Sequence, residues 1–150
     1  MATRSKRLHL KWTPAQMFDL VADVERYPEF LPWVTVARIR RRQDQTVWVD
    51  MTIGTSFLRK RVSTVAVLER PQRIHIFSHD PIFERFEQNW NFEPAAEGGT
   101  TLAYQVDFSL RSPVLQTLIG AALADRFTAI ADAFQHRAWQ LYRHLSANAA

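Results

Sequence analysis

From the chain's last third comes the strongest constraint on its fold. Leu115, Ile119, Leu123, Phe127, Ile130, Phe134, Ala138, Leu141 and Leu145 follow one another in steps of three or four. That is the repeat of one face of an α-helix. Ser112-Pro113 opens the run with a capping residue followed by the residue best suited to a first helical turn. Such a helix reaches about 50 Å at 1.5 Å per residue. A stripe that long cannot be covered by a hairpin or a short helix. It demands a broad partner surface.

The preceding chain supplies one. Between residues 34 and 110 the hydrophobic period changes to two. The spacing predicts strands at 34–42, 46–54, 60–69, 73–79, 84–92 and 100–110, with a first strand at 4–11. In the clearest pair, Phe86, Gln88, Trp90 and Phe92 face one way, and Leu102, Tyr104, Val106, Phe108 and Leu110 repeat the pattern. One side of the sheet is therefore covered and the other wet. Short links, Arg70-Pro71-Gln72 and Ala95 to Gly99, imply an antiparallel meander. Between the first two strands, Thr13-Pro14-Ala15-Gln16 is a capping box with proline at the first helical position, so 14–23 is a short helix. Tyr27-Pro28-Glu29-Phe30-Leu31-Pro32-Trp33 permits only a single turn, because of its prolines. The expected class is α+β: a strongly curved antiparallel sheet gripping one long C-terminal helix, with two short helices after the first strand. Residues 1–150 read as a single domain, long enough to bury roughly two thirds of its unfolded surface.

One helix fills only a strip of a concave sheet. The rest is either packed with side chains or left as a cavity. The concave candidates are Met51, Ile53, Phe57, Phe86, Trp90, Tyr104 and Phe108, and small residues, Gly120, Ala122 and Ala131, flank the helical stripe. Small residues against large ones leave room, and an apolar hollow suits a hydrophobic ligand. A simply packed core fits the same pattern.

Several chemistries are excluded. The chain has no Cys, so thiolate nucleophiles, disulfides and Cys-type metal sites are absent. Its four glycines form neither a dinucleotide-binding fingerprint nor a phosphate loop. There is no H-E-x-x-H and no G-x-S-x-G. His75 and His79, four apart on a predicted strand, lie about 13 Å from each other, too far to share a metal. Glu84 and Glu87 fall on opposite strand faces, and Asp19 and Asp23 on a solvated helix face. No catalytic residue, metal site or bound cofactor is therefore expected.

Charge is uneven. Residues 1–73 carry a net +7 and residues 74–150 a net −3. The excess lies in Arg4/Lys6/Arg7/Lys11, Arg38/Arg40/Arg41/Arg42 and Arg59/Lys60/Arg61. These are either outward residues of solvated strands or a surface for phosphate, on RNA or anionic lipid. No apolar run approaches the ~20 residues of a membrane span, and the first ten residues do not form a signal peptide. A cytoplasmic protein is expected, touching at most a membrane face.

The segment from Met17 through Asp23, Tyr27 and Pro28 to Trp33 resembles the signature of the coenzyme Q-binding branch of the START-like (polyketide cyclase/dehydrase, helix-grip) superfamily. Bacterial relatives in that branch include ribosome-association toxins. Phe83, Trp90 and Phe92 sit where the family has Gly-Pro-Phe followed by Trp-x-Phe, and Ala133-Phe134-Gln135-His136-Arg137-Ala138 resembles its helix end. The sequence departs from the pattern at Pro81-Ile82, and at Thr55 with Phe57 two residues on. The resemblance implies a helix-grip fold and non-enzymatic binding of ubiquinone, a polyprenyl quinone held non-covalently, in support of respiration or quinone biosynthesis. Its ligand wall would comprise Tyr27, Pro28, Phe30, Leu31, Pro32, Trp33, Phe57, Phe83, Phe86, Trp90, Phe108, Leu115, Ile119, Leu123, Phe127, Ile130 and Phe134. Tyr27 and Trp33 would also suit a membrane interface, with the basic side held against the anionic inner membrane. Arg137 matches a family position, either as a salt bridge to a loop carboxylate or as a head-group contact. The alternative the resemblance offers is a toxin-like factor acting on ribosomal subunit association, with RNA rather than DNA as the nucleic-acid partner. A cyclase or dehydratase rests on fold analogy alone.

Overall fold

The computed structural model describes residues 2–54 and 59–149, with side chains other than those of residues 2, 119, 128 and 143–149. The elements run β1 (Ala2–Leu10), α1 (Pro14–Ala22), a 3₁₀ helix (Val24–Glu29), β2 (Val34–Gln43), β3 (Thr46–Gly54), β4 (Arg59–Glu69), β5 (Arg73–Phe77), β6 (Phe83–Pro94), β7 (Thr100–Leu110) and α2 (Pro113–Ala149). All seven strands join one antiparallel sheet in the order β1-β7-β6-β5-β4-β3-β2. The expected α+β helix-grip architecture is the observed one. β5 is shorter than the spacing predicts and stops at Phe77, so His79 is not on a strand.

Local chemistry explains the joints. Thr13 and Gln16 form the reciprocal capping box: Thr13 Oγ1 accepts from the Gln16 amide at 3.1 Å, and Gln16 Oε1 accepts from the Thr13 amide at 2.9 Å. The turn from β6 to β7 passes over the end of β1. There Gly99 has φ +78°, and a Cβ would stand 2.1 Å from the Leu10 carbonyl oxygen, so only glycine fits. β6 carries a register shift between Phe83 and Arg85. This irregularity lets Phe83 and Phe86, an odd and an even position, both face inward.

α2 lies across the concave face closest to β1 and β7. Under it, cross-strand pairs Phe86–Phe108, Trp90–Tyr104 and Phe92–Leu102 stack the core of β6 and β7. Phe134 is the hub at one end. Its ring lies 5.3 Å from Tyr27, 5.1 Å from Phe30 and 5.3 Å from Trp90, edge-on to each.

An apolar cavity with one cationic lip

Because α2 leans on β1 and β7, it stands off from the concave faces of β3, β4 and β5. The result is a cavity of about 200 Å³. Its walls come from Val49, Met51, Ile53 and Gly54 of β3, Val62, Thr64 and Ala66 of β4, Ile76 of β5, and Phe83, Phe86, Gln88 and Trp90 of β6. Val24, Tyr27, Leu31, Trp33 and Val34 close one side, and Ala122, Leu123, Arg126, Phe127, Ile130 and Phe134 of α2 form the roof. β1 and β7 contribute no lining residue. The deep end is sealed by Trp90, Tyr27 and Phe134, all buried. Apart from Ile76, the half-exposed or exposed lining residues gather at the mouth: Trp33, Met51, Ile53, Gly54, Ala122, Leu123 and Arg126.

Ten residues of the expected ligand wall reach the cavity: Tyr27, Leu31, Trp33, Phe83, Phe86, Trp90, Leu123, Phe127, Ile130 and Phe134. Five do not. Phe108 faces inward but from β7, beneath the helix, and packs on Phe127 at 5.2 Å. Phe30 is wedged on the far side of Phe134, with the Arg137 guanidinium 5.1 Å above its ring. Pro28 is half-buried inside the 3₁₀ helix and Pro32 is exposed. Leu115 lies eight residues before Leu123 on α2, about 12 Å along the helix axis. Phe57 and the side chain of Ile119 lie outside the described residues. Tyr104, a concave candidate, is buried beside Trp90 at 4.3 Å and lines nothing. Of the small residues flanking the stripe only Ala122 borders the cavity; Gly120 and Ala131 are buried in packing instead.

The Tyr-Pro to Pro-Trp segment thus splits its duties. Tyr27 is an anchor: it is buried, and its hydroxyl donates to the Val21 carbonyl. Burial, aided by the negative charge of Asp23, pushes its phenol well above the ordinary tyrosine range. A ring so enclosed cannot float at a membrane interface, which corrects that expectation for Tyr27. Trp33 is at the mouth. The Gly54 amide donates to its carbonyl at 2.9 Å, and Gly54 holds φ +135°, a conformation that favours glycine. Arg137 pairs with Glu29 at 2.7 Å, the loop carboxylate, and does not reach the cavity.

Polar groups in the lining are few: Tyr27, Thr64, Gln88 and Arg126. Gln88 Oε1 accepts from Trp90 Nε1 at 3.3 Å. Arg126 was not legible as a site residue, although its position three after Leu123 puts it at the border of the apolar stripe. Its guanidinium lies 5.8 Å from the centre of the Trp33 ring. Among the described residues no group of three or more His, Asp or Glu is arranged to hold a metal ion. No described helix is long and apolar enough to cross a membrane.

Two of the basic clusters sit elsewhere, on β2 and β4, and the third lies on and just after β1, where Lys6 pairs with Asp132 at 2.6 Å. Asp50 of β3 anchors the β2 and β4 clusters: Arg61 is 2.8 Å and Arg40 3.7 Å from its carboxylate. The Arg61 hydrogen bond, more than the neighbouring Ser63 and Arg40, holds the Asp50 carboxyl below its usual range. Arg41 lies over Trp48 at 4.7 Å. Arg38, Arg42, Arg59 and Lys60 are exposed on the same half of the sheet. Asp19, expected on a solvated face, accepts both arms of Arg70, at 2.8 and 2.9 Å.

Comparison with known proteins agrees with this geometry. The ribosome association toxin RatA of Pseudomonas aeruginosa is 29% identical over 143 residues, covering 95% of this chain and 99% of that protein. The mitochondrial coenzyme Q-binding protein COQ10 of Dictyostelium discoideum is 23% identical over 146 residues, covering 95% of this chain and 71% of that one. Among solved structures, the Zhui aromatase/cyclase of a Streptomyces superposes with a TM-score of 0.79 at 14% identity, over 91% of this chain and 93% of that one. At that identity the likeness is one of fold. Residues 10–135, from the end of β1 to the α2 segment that roofs the cavity, match a single family, and the chain belongs to it: polyketide cyclase/dehydrase and lipid transport.

Proposed function

We propose that the protein is a non-enzymatic carrier of a polyprenyl quinone, ubiquinone or a close relative, supporting respiratory electron transport or quinone biosynthesis. The observation that carries the reading is the cavity: about 200 Å³, walled by aromatic and aliphatic side chains and open at one end. A methylene-sized group occupies about the 30 Å³ of a water molecule. The hollow therefore holds about seven such groups, the size of a six-membered ring with one substituent, so a larger ligand would extend into the mouth. A quinone ring would lie among Trp33, Phe86, Trp90 and Phe127, and a long tail would leave through the mouth. Burial of apolar groups there gains ~0.8 kcal/mol per methylene, while the lining among the described residues offers no paired acid and base for chemistry. The likeness to a coenzyme Q-binding protein supports the quinone as ligand.

Purification from the native host, extraction with organic solvent and mass spectrometry test this directly. A stoichiometric polyprenyl quinone is the expected result. Protein that emerges without quinone, and fails to take up a short-chain quinone from micelles, overturns it.

A second reading, action on ribosomal subunit association, is favoured by the likeness to RatA over nearly the whole chain. Its surface would be the exposed arginines of β2 and β4. Substitution of Arg38, Arg42 and Arg59 by Glu is then expected to abolish co-sedimentation with ribosomal subunits. Unchanged or absent co-sedimentation removes this reading and leaves the cavity untouched.

A further inference from the structure

We infer that Arg126 is the head-group partner of the cavity's ligand: the site selects amphiphiles that keep a hydrogen-bond acceptor at the mouth and an apolar body inside, and it binds an anionic head more tightly than a neutral one. The inference rests on the carrier reading and adds to it a ligand chemistry.

Three observations converge. First, among the described residues Arg126 is the only charged one in the cavity lining, against a wall that is otherwise nearly all hydrocarbon. Second, no hydrogen bond or ion pair joins it to another described residue, and it lies over the face of Trp33. The other polar groups differ in this respect, since Tyr27 donates to Val21 and Gln88 is engaged by Trp90. Third, the Trp33 backbone is tied through its carbonyl to the Gly54 amide at 2.9 Å, which sets that residue, with the guanidinium over its ring, at the rim of the cavity.

A half-buried guanidinium offers five donors in a planar fork and always carries its charge. Stacking on an aromatic face leaves the fork's edge free, and that edge matches the two oxygens of a carboxylate or phosphate. A quinone carbonyl is a weaker match of the same kind. The cavity behind the fork holds about seven methylene-sized groups, so an eight-carbon amphiphile is the right probe.

The test measures binding of octanoate, octyl phosphate and octanol to the full chain at neutral pH, by calorimetry or tryptophan fluorescence. The same series is run on Arg126→Gln and Arg126→Lys. Octanoate is expected to bind about tenfold or more tightly than octanol, as one charge-assisted hydrogen-bonded pair allows. Arg126→Gln should bring the two within about twofold of each other, chiefly by weakening octanoate, and an unchanged urea-unfolding midpoint shows that the variant is folded. Arg126→Lys should keep part of the preference, having charge without the fork. A larger gain for octyl phosphate than for octanoate would identify phosphate as the preferred head, and the reverse would identify carboxylate. Equal binding of octanol and octanoate by the native protein overturns the inference but leaves an apolar carrier standing. Failure of every probe to bind overturns both.

Discussion

The two halves of the sheet are built from the same alternating strands and end with different interiors. On the β1–β7 side, inward residues of β7 are sealed: Val106 and Phe108 are 0% exposed beneath α2. On the β3–β4 side, Met51 and Ile53 point the same way but remain half-exposed, facing the cavity. Strand composition does not produce this difference. It comes from the lateral position of a single helix, which rests on β1 and β7 and stands off from β3, β4 and β5. One half serves stability and the other serves a ligand.

Substitutions in the two halves should therefore diverge. Phe108→Ala, beneath α2 on the β7 side, is expected to cost about 3–5 kcal/mol in urea unfolding. Met51→Ala, beside the hollow, should cost less than the ~2 kcal/mol at which losses for fully buried Met begin. Equal losses would erase the contrast.

Filling tests the same contrast from the other direction. Ala138→Met, in the packed half where Ala138 is 0% exposed, should overpack and destabilise by about 1–3 kcal/mol. Ala66→Met grows into the cavity, so stability should stay within about 0.5 kcal/mol while uptake of a short-chain quinone is lost. Retained uptake with a destabilised fold would mean that Ala66 does not face usable space.

The smallest expected effect concerns the outer face of the hollow half. Asp50 has a lowered pKa in the folded state, so between that value and its ordinary one the unfolded chain binds more protons. Its contribution to stability is present above about pH 4 and is lost as pH falls further. Asp50→Asn should flatten that part of the pH profile and cost under about 1 kcal/mol at neutral pH, since its arginine partners are mostly exposed. An unchanged slope in the variant would assign acid sensitivity to other carboxylates.

Much of the fold was legible because it depends on local rules. Steps of three and four from Leu115 onward, the Thr13–Gln16 box and the alternation through β6 and β7 each fix an element within a few residues. The location of the hollow was not, because Phe108 on β7 and Met51 on β3 carry the same inward signal. Only the placement of α2 distinguishes them, and that is set by long-range packing. Phe30 and Tyr27 show the limit within one motif: both are aromatic, yet one plugs the outside of Phe134 and the other anchors the inner wall. Arg126 escaped notice because a charge at the edge of an apolar stripe is the usual border of a helix face.

A crystal structure of the protein grown with a short-chain ubiquinone is the most direct measurement. Density for the ring enclosed by Trp33, Phe86 and Phe127, with an oxygen turned toward Arg126, is the predicted result. A hollow that stays empty at saturating quinone, or a ligand seated elsewhere on the molecule, would contradict the account.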